Sequence, residues 1–369
     1  MRFCKRPPKN VNKLPRWSLV LFGIALFSAL VFLISVLSEG FADRYNSGFG
    51  AAVRAFLAHL TSWIPFSVAE ISLYLLPLVL VFVSIYAFRY YCDTWRSVFV
   101  FFCSALSVLS IFFSVFALGF GPGYHTASLD KRLSLGDAEV NEQTLILTAE
   151  RLIEELNALA PKLAFGEDGF SVMPYDLCEL TDELLCAYEP ICERYAFVQH
   201  LDSRIKPVLA SKLLSYTHIT GMYSFYTGEA NLNTHFPDYT TPFTAAHELA
   251  HQRGIARENE ANFIAFLVCD AAQDPYVRYS GYLNLFEYIA AALYGVNPTA
   301  YRDLAATLDE RIKGELRAYA AFFEPYRDTV ASNISSAVND TYLKLNGNEA
   351  GVQSYSLVVE LAVAYFNPQ

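Results

Sequence analysis

The chain has 369 residues, of which 54% are hydrophobic and only 17% charged, against roughly 25% charged in soluble globular domains. Its formal net charge is −10, which argues against a nucleic-acid partner because phosphates and an acidic surface repel. The apolar excess points instead to segments that live in lipid.

Those segments come first in chain order. From Trp17 to Ser38 there is no charge, and about 20 apolar residues suffice to cross a bilayer as a helix. The run is too long for the core of a cleaved signal peptide, and no small-x-small site follows before Glu39. A second uncharged run covers Ile71 to Phe88, and a third begins at Ser97. Arg2, Lys5, Arg6, Lys9, Lys13 and Arg16 precede the first run, while Arg89 and Arg96 lie between the second and third. The positive-inside rule then predicts a cytoplasmic N-terminus and an exported chain after about Gly119. The expected organisation is a cytoplasmic basic segment 1–16, a multi-pass cell-membrane anchor 17–118 with three transmembrane helices, and an exported domain 119–369.

Charge divides at the same point. Residues 1–118 carry ten Lys/Arg against four Asp/Glu and the remainder 17 against 33, so the anchor is net +6 and the exported part net −16. Of seven cysteines, Cys4, Cys92 and Cys103 fall in or beside the anchor. Cys178, Cys186, Cys192 and Cys269 fall outside it, enough for two disulfides or for buried free thiols.

After the third run, the leucines of VNEQTLILTAERLIEELNALAPKL recur at helical spacing. Helices are predicted at Tyr175–Tyr188, at Ile191–Val198 after Pro190, and from Pro207 through VLASKLLSY. The segment HITGMYSFYTGEANLNTHF alternates aromatic and small polar residues and reads as a strand pair. Thr241 and Pro242 predict a helix start, with threonine capping the free amides, and Gly254 predicts its end. ENEANFIAFLVCDAAQ, YSGYLNLFEYIAAALYGV, Tyr301–Tyr326 and SLVVELAVAYF read as further helices. The fold class expected is mainly α: three transmembrane helices plus an exported α+β domain with a small sheet.

The helix that starts at Thr241 carries HELAH. His247 and His251 are four apart and share one helical face. Two neutral imidazoles suit zinc, and a catalytic site needs a third protein ligand and one open position. Glu248 follows the first histidine and is placed to act as general base. All seven histidines lie at or before His251, and the three methionines are Met1, Met173 and Met222. A downstream histidine ligand and a Met-turn are therefore absent, and the third ligand is expected to be a carboxylate, Glu258 or Glu260. YSFYTGEANLN is the expected edge strand for a peptide substrate, with Tyr226, Gly228 and Asn231 as substrate-binding candidates. A phenol or guanidinium must stabilise the oxyanion, and RYSGY offers Arg278, Tyr279 and Tyr282, with Tyr279 favoured.

Glu258 and Asn262 form a pattern, ExxxN, that resembles the ExxxD of gluzincin peptidases. The resemblance implies Glu258 as the third zinc ligand and Asn262 as the partner that orients His247. Asn262 is neutral where those enzymes carry an acid, so it orients without raising basicity. WIPFSVAEI, GMYSFYTGEANLN, PFTAAHELAHQRGIARENEANF, RYSGY and YLKLNGNEAGVQSYSLVVEL together resemble a bacterial membrane-protein family known only as a domain of unknown function (three-eight-one-zero), with an exported zincin-like domain. The expectation is a membrane-anchored zinc metallopeptidase acting on a peptide or protein substrate. The alternative is a catalytically inactive, zinc-stapled scaffolding protein of the cell envelope. An intramembrane protease fits poorly, since Arg253, Arg257, Glu258 and Glu260 would be costly in lipid.

Overall fold

The computed structural model describes residues 13–91, 94–136, 139–345 and 355–367. Cys4, Cys92 and the basic residues before Lys13 lie outside these, as does most of the YLKLNGNEAGVQSY motif.

Three long apolar helices are present: α1 (Arg16–Leu37), α4 (Val68–Tyr90) and α5 (Trp95–Gly119), each long and apolar enough to cross a membrane. Between the first two lie α2 (Glu39–Tyr45), a π-turn at Asn46–Gly50, and α3 (Ala51–Ser62). Helix α1 packs along α5. Serines inside α1 return their hydroxyls to carbonyls one turn back, Ser28 to Ile24 at 2.8 Å and Ser35 to Val31 at 3.0 Å, so the polar groups cost little in an apolar setting. No residue in the central window of α4 is buried.

After α5 a 3₁₀ turn leads to α6 (Leu129–Leu133), α7 (Glu142–Leu159) and α8 (Leu177–Arg194). Helix α8 is continuous, with Pro190 inside it, so the predicted break there does not occur; a capping box of Asp176 and Glu179 starts the helix. Cys178, Cys186, Cys192 and Cys269 are all free. The helix expected after Pro207 shrinks to α9 (Ser211–Ser215), because Ile205–Pro207 is strand β1. Strands β2 (Gly221–Ser224) and β3 (Glu229–Leu232) follow. The sheet order is β1-β3-β2, with β3 parallel to β1 and antiparallel to β2.

The rest is helical: α10 (Thr240–Gln252), α11 (Glu258–Ala271), α12 (Pro275–Val296), α13 (Pro298–Ala305), α14 (Glu310–Phe323), α15 (Val330–Leu345) and α16 (Tyr355–Phe366). The helix predicted over Tyr301–Tyr326 is two helices, since Asp309 caps a new start by accepting the Arg311 N–H at 3.0 Å. The core forms where α10, α11 and α12 meet α7, α8 and α16, with Leu249, Phe263, Phe266, Leu283 and Ile289 fully enclosed.

The segment between α1 and α4 packs on this globular unit. One face of α3, with Ala51, Arg54, Ala58 and Thr61, is buried. The Ala51 carbonyl accepts from Gln199 at 2.9 Å, and the Thr61 carbonyl accepts from Lys206 at 2.8 Å. The Glu229 carboxylate accepts the Val68 and Ala69 amides at 3.0 and 2.8 Å, capping α4 from the sheet. A Cβ at Gly228, where φ is +72°, would sit 2.6 Å from the Ala58 nitrogen. Hydropathy marks the long helices and is silent about the packing of a loop of mixed polarity.

A buried glutamate, Glu315, and a half-buried one, Glu287, sit beside the core. Glu315 accepts the Ser171 amide at 2.8 Å and hydroxyl at 2.6 Å, and the Tyr279 hydroxyl. Glu287 faces the Tyr239 hydroxyl at 3.5 Å, and burial raises its pKa from 4.5 to about 7. The folded state therefore binds this proton more tightly than the unfolded chain. Stability is intact below the unfolded value near 4.5 and declines as pH rises through about 7. Glu287→Gln is expected to leave chemical-denaturation stability unchanged at roughly pH 4 and to raise it by about 2 kcal/mol at roughly pH 8.

Candidate metal centre

Helix α10 starts without the expected Thr241 cap. Ser280, reaching across from α12, accepts the Phe243 amide at 3.0 Å and donates to the Tyr239 carbonyl. The helix ends at Gly254, whose φ of +97° only glycine adopts at low cost, and the Ile255 amide closes back on the Ala250 carbonyl at 3.1 Å. Behind this turn stands Arg54, 1% exposed. Its guanidinium donates to the Asn46 side-chain and main-chain oxygens and to the Gly119 carbonyl, and Asn46 in turn donates to the Gly254 carbonyl at 2.9 Å. A Cβ at Gly254 would collide with that guanidinium. Gly254→Ala is expected to cost about 2 kcal/mol or more, from the strained φ and the collision together, seen as a lowered Tm.

The reversal at Gly254 sets the first residue of α11 opposite α10. Glu258 Oε2 lies 3.2 Å from His247 Nε2 and 3.5 Å from His251 Nε2, and the ligand atoms of all three residues lie within 4.8 Å of one another. Donors about 2.0–2.1 Å from one tetrahedral ion are about 3.4 Å apart, so the spacing suits a shared zinc-sized cation. His251 Nδ1 faces the Ile255 carbonyl at 2.7 Å, which fixes the neutral ring's proton there. Without an ion, a protonated ring donates from Nε2 to the Glu258 carboxylate; a neutral ring turns its Nε2 lone pair toward that carboxylate, where a cation could be shared. Burial would lower the His251 pKa, yet Glu258 raises it to about 9. Burial would raise that of Glu258, yet the two imidazoles hold it far below the usual carboxylate range.

Glu248 projects beside the cluster, 3% exposed, and burial raises its pKa. Its carboxylate packs on the first residue of β2: a Cβ at Gly221 would lie 2.6 Å from Oε1. It also accepts the Tyr223 amide, while Oε2 has no hydrogen-bond partner among the described residues, and an unsatisfied buried carboxylate oxygen is costly.

Other expected residues lie elsewhere. Glu260 is committed to Arg132 at 2.5 Å, Arg257 at 2.6 Å and the Leu129 amide at 3.0 Å, which removes it as a ligand candidate. Asn262 is buried but does not orient His247, whose Nδ1 has no hydrogen-bond partner among the described residues. Tyr279 is enclosed in the core and donates to Glu315, so it does not serve the centre as oxyanion donor. Arg278 pairs with Glu155 at 3.2 Å, and Tyr282 donates to Asp270 at 2.7 Å. All three belong to α12, whose faces are taken up by α7, α11 and α16.

The expected substrate residues sit in the right hairpin but not on its free edge. Asn231 is on the central strand β3, because β1 adds to it from upstream, and its amide donates to the Met222 carbonyl at 3.1 Å. The Gly228 carbonyl accepts from Gln252 at 2.6 Å, and Tyr226 lies in the turn. The strand beside Glu248 is β2, an edge strand among the described residues.

Sequence reasoning missed Gly221 and Tyr223 against Glu248, the Ile255 carbonyl that orients His251, and Phe120, whose ring lies 5.9 Å edge-on from His251. Phe120 gave no signal, being one more aromatic at the end of an apolar run.

The chain thus joins long apolar helices to a globular unit bearing a His-His-Glu cluster. It belongs to the family described as protein of unknown function (DUF3810), which matches residues 45–363, so the match takes in the loop that packs under the sheet. No curated protein and no solved structure matches it.

Proposed function

We propose that the protein is a membrane-anchored zinc metallopeptidase of gluzincin-like type that hydrolyses peptide bonds on the outer side of the cell membrane. Its partners are the lipid bilayer and a peptide or protein substrate, and its N-terminus is cytoplasmic. The observation that carries this reading is the convergence of His247, His251 and Glu258 beside a buried, half-satisfied Glu248. The bare apolar surfaces of α1, α4 and α5 support the membrane setting, since such area is unfavourable in water by about 25 cal/mol per Å².

His247, His251 and Glu258 would hold the zinc ion, which would supply Lewis acidity to the attacking water. Glu248 takes the proton of that water and delivers it to the leaving amine, tasks suited to a carboxyl whose pKa burial has raised. Gly221 lets Glu248 lie directly against β2, and the edge of that strand holds an extended substrate by backbone hydrogen bonds. Metal analysis of the purified full-length chain tests the reading. About one zinc per chain, lost in His247→Ala, is expected; no stoichiometric zinc, or zinc indifferent to that change, ends it.

A further inference from the structure

The candidate site lies directly against the apolar helices. Phe120, which caps α5, packs on the His251 ring. Strand β2 passes under Glu248 at Gly221 and then runs into Phe225 and Tyr226. Phe225 stacks edge-on with Phe116 of α5 at 5.4 Å, and Tyr226 with Phe112 of α5 at 5.5 Å. The Tyr226 hydroxyl also meets Ser72 of α4 at 3.0 Å. Phe112 stands two turns inside α5, about 10 Å along its axis from the helix end. The far end of the edge strand therefore reaches the level of the apolar helices, while its near end lies on the general base.

Helix α3 places this level relative to lipid. Its buried face bears Ala51, Arg54, Ala58 and Thr61. Its outer face and the turn after it expose Phe56 at 67%, Leu60, Trp63 at 78% and Phe66. Amphipathicity of this sense, polar inward and apolar outward, suits a helix lying in the membrane interface, with tryptophan at the headgroup level.

We infer that the substrate is the juxtamembrane segment of another membrane-anchored polypeptide, which pairs with β2 and is cut within about ten residues of its own anchor. The inference rests on the peptidase reading. A strand rises about 3.3 Å per residue, so four or five residues span β2 from Gly221 to the aromatic turn. A chain paired with β2 thus leaves the site toward the bilayer, and a segment emerging from a neighbouring membrane helix enters along that line without crossing open solvent.

The test co-reconstitutes the full-length, zinc-loaded protein in phosphatidylethanolamine–phosphatidylglycerol vesicles with single-span reporters bearing a randomised cassette. The cassette starts about five residues from the span, or is held off by a flexible linker of about 40 residues, a mean reach of about 35 Å. Both reporters share one membrane, so surface concentration cancels. New termini are read by mass spectrometry against Glu248→Gln. The proximal cassette is expected to be cut at least about tenfold more than the distant one. Equal cutting of the distant cassette, or of the same cassette on a soluble carrier, overturns the inference and leaves the peptidase reading standing. Cutting inside the span overturns it as well. No Glu248-dependent cutting of any reporter brings down both.

Discussion

Glu248→Gln is expected to keep zinc at about one per chain and to lower peptide hydrolysis by roughly 10²–10⁴-fold, the range that a positioned general base contributes. The change is nearly isosteric, and its amide oxygen still accepts the Tyr223 amide, so folding should survive; the unchanged Tm checks this. Carboxylate Oε2 has no partner among the described residues, so the loss is of a group free to take a proton. A variant that retains full hydrolysis would remove Glu248 from the chemistry. A variant that loses zinc as well would make it a ligand or a structural support instead.

Glu258→Ala should have the opposite signature. Glu258 is the only carboxylate among the described residues in the cluster with both imidazoles, and without it two neutral nitrogens remain. Zinc affinity is expected to fall by about 10²-fold or more, with hydrolysis falling in step and partly restored by excess zinc. Competition with a chromophoric chelator measures the affinity. The folded chain loses little else, since Glu258 opens an α-helix at a partly exposed position and, among the described residues, pairs with the two imidazoles of the cluster. Unaltered affinity would hand the third position to another group.

The two histidines and Glu258 were legible because helical spacing is local: four residues apart on one helix fixes a face, and Gly254 announces the reversal that brings α11 back. The long apolar helices were legible for the same reason, since hydropathy sums over neighbours in sequence. What was not legible came from across the chain. The Thr241 cap is replaced by Ser280, from the helix after next, which accepts the Phe243 amide and donates to the Tyr239 carbonyl. Tyr279 looked free in RYSGY, but α12 turns it into the core toward Glu315. Asn231 falls on the central strand because β1, whose last residue Pro207 was expected to start a helix, adds in parallel to β3. The brace of Arg54 and Asn46 behind Gly254 joins parts of the chain some 200 residues apart, and no local pattern encodes such a pairing.

The account turns on a single divalent ion held by two imidazoles and one carboxylate with an open position. Zinc K-edge absorption of the purified full-length protein tests this most directly. Two imidazole nitrogens and only oxygen beside them, at about 2.0–2.1 Å, are expected, with the pattern losing one imidazole in His251→Ala. A sulfur near about 2.3 Å, a third imidazole, or a first shell unmoved by that substitution would contradict it.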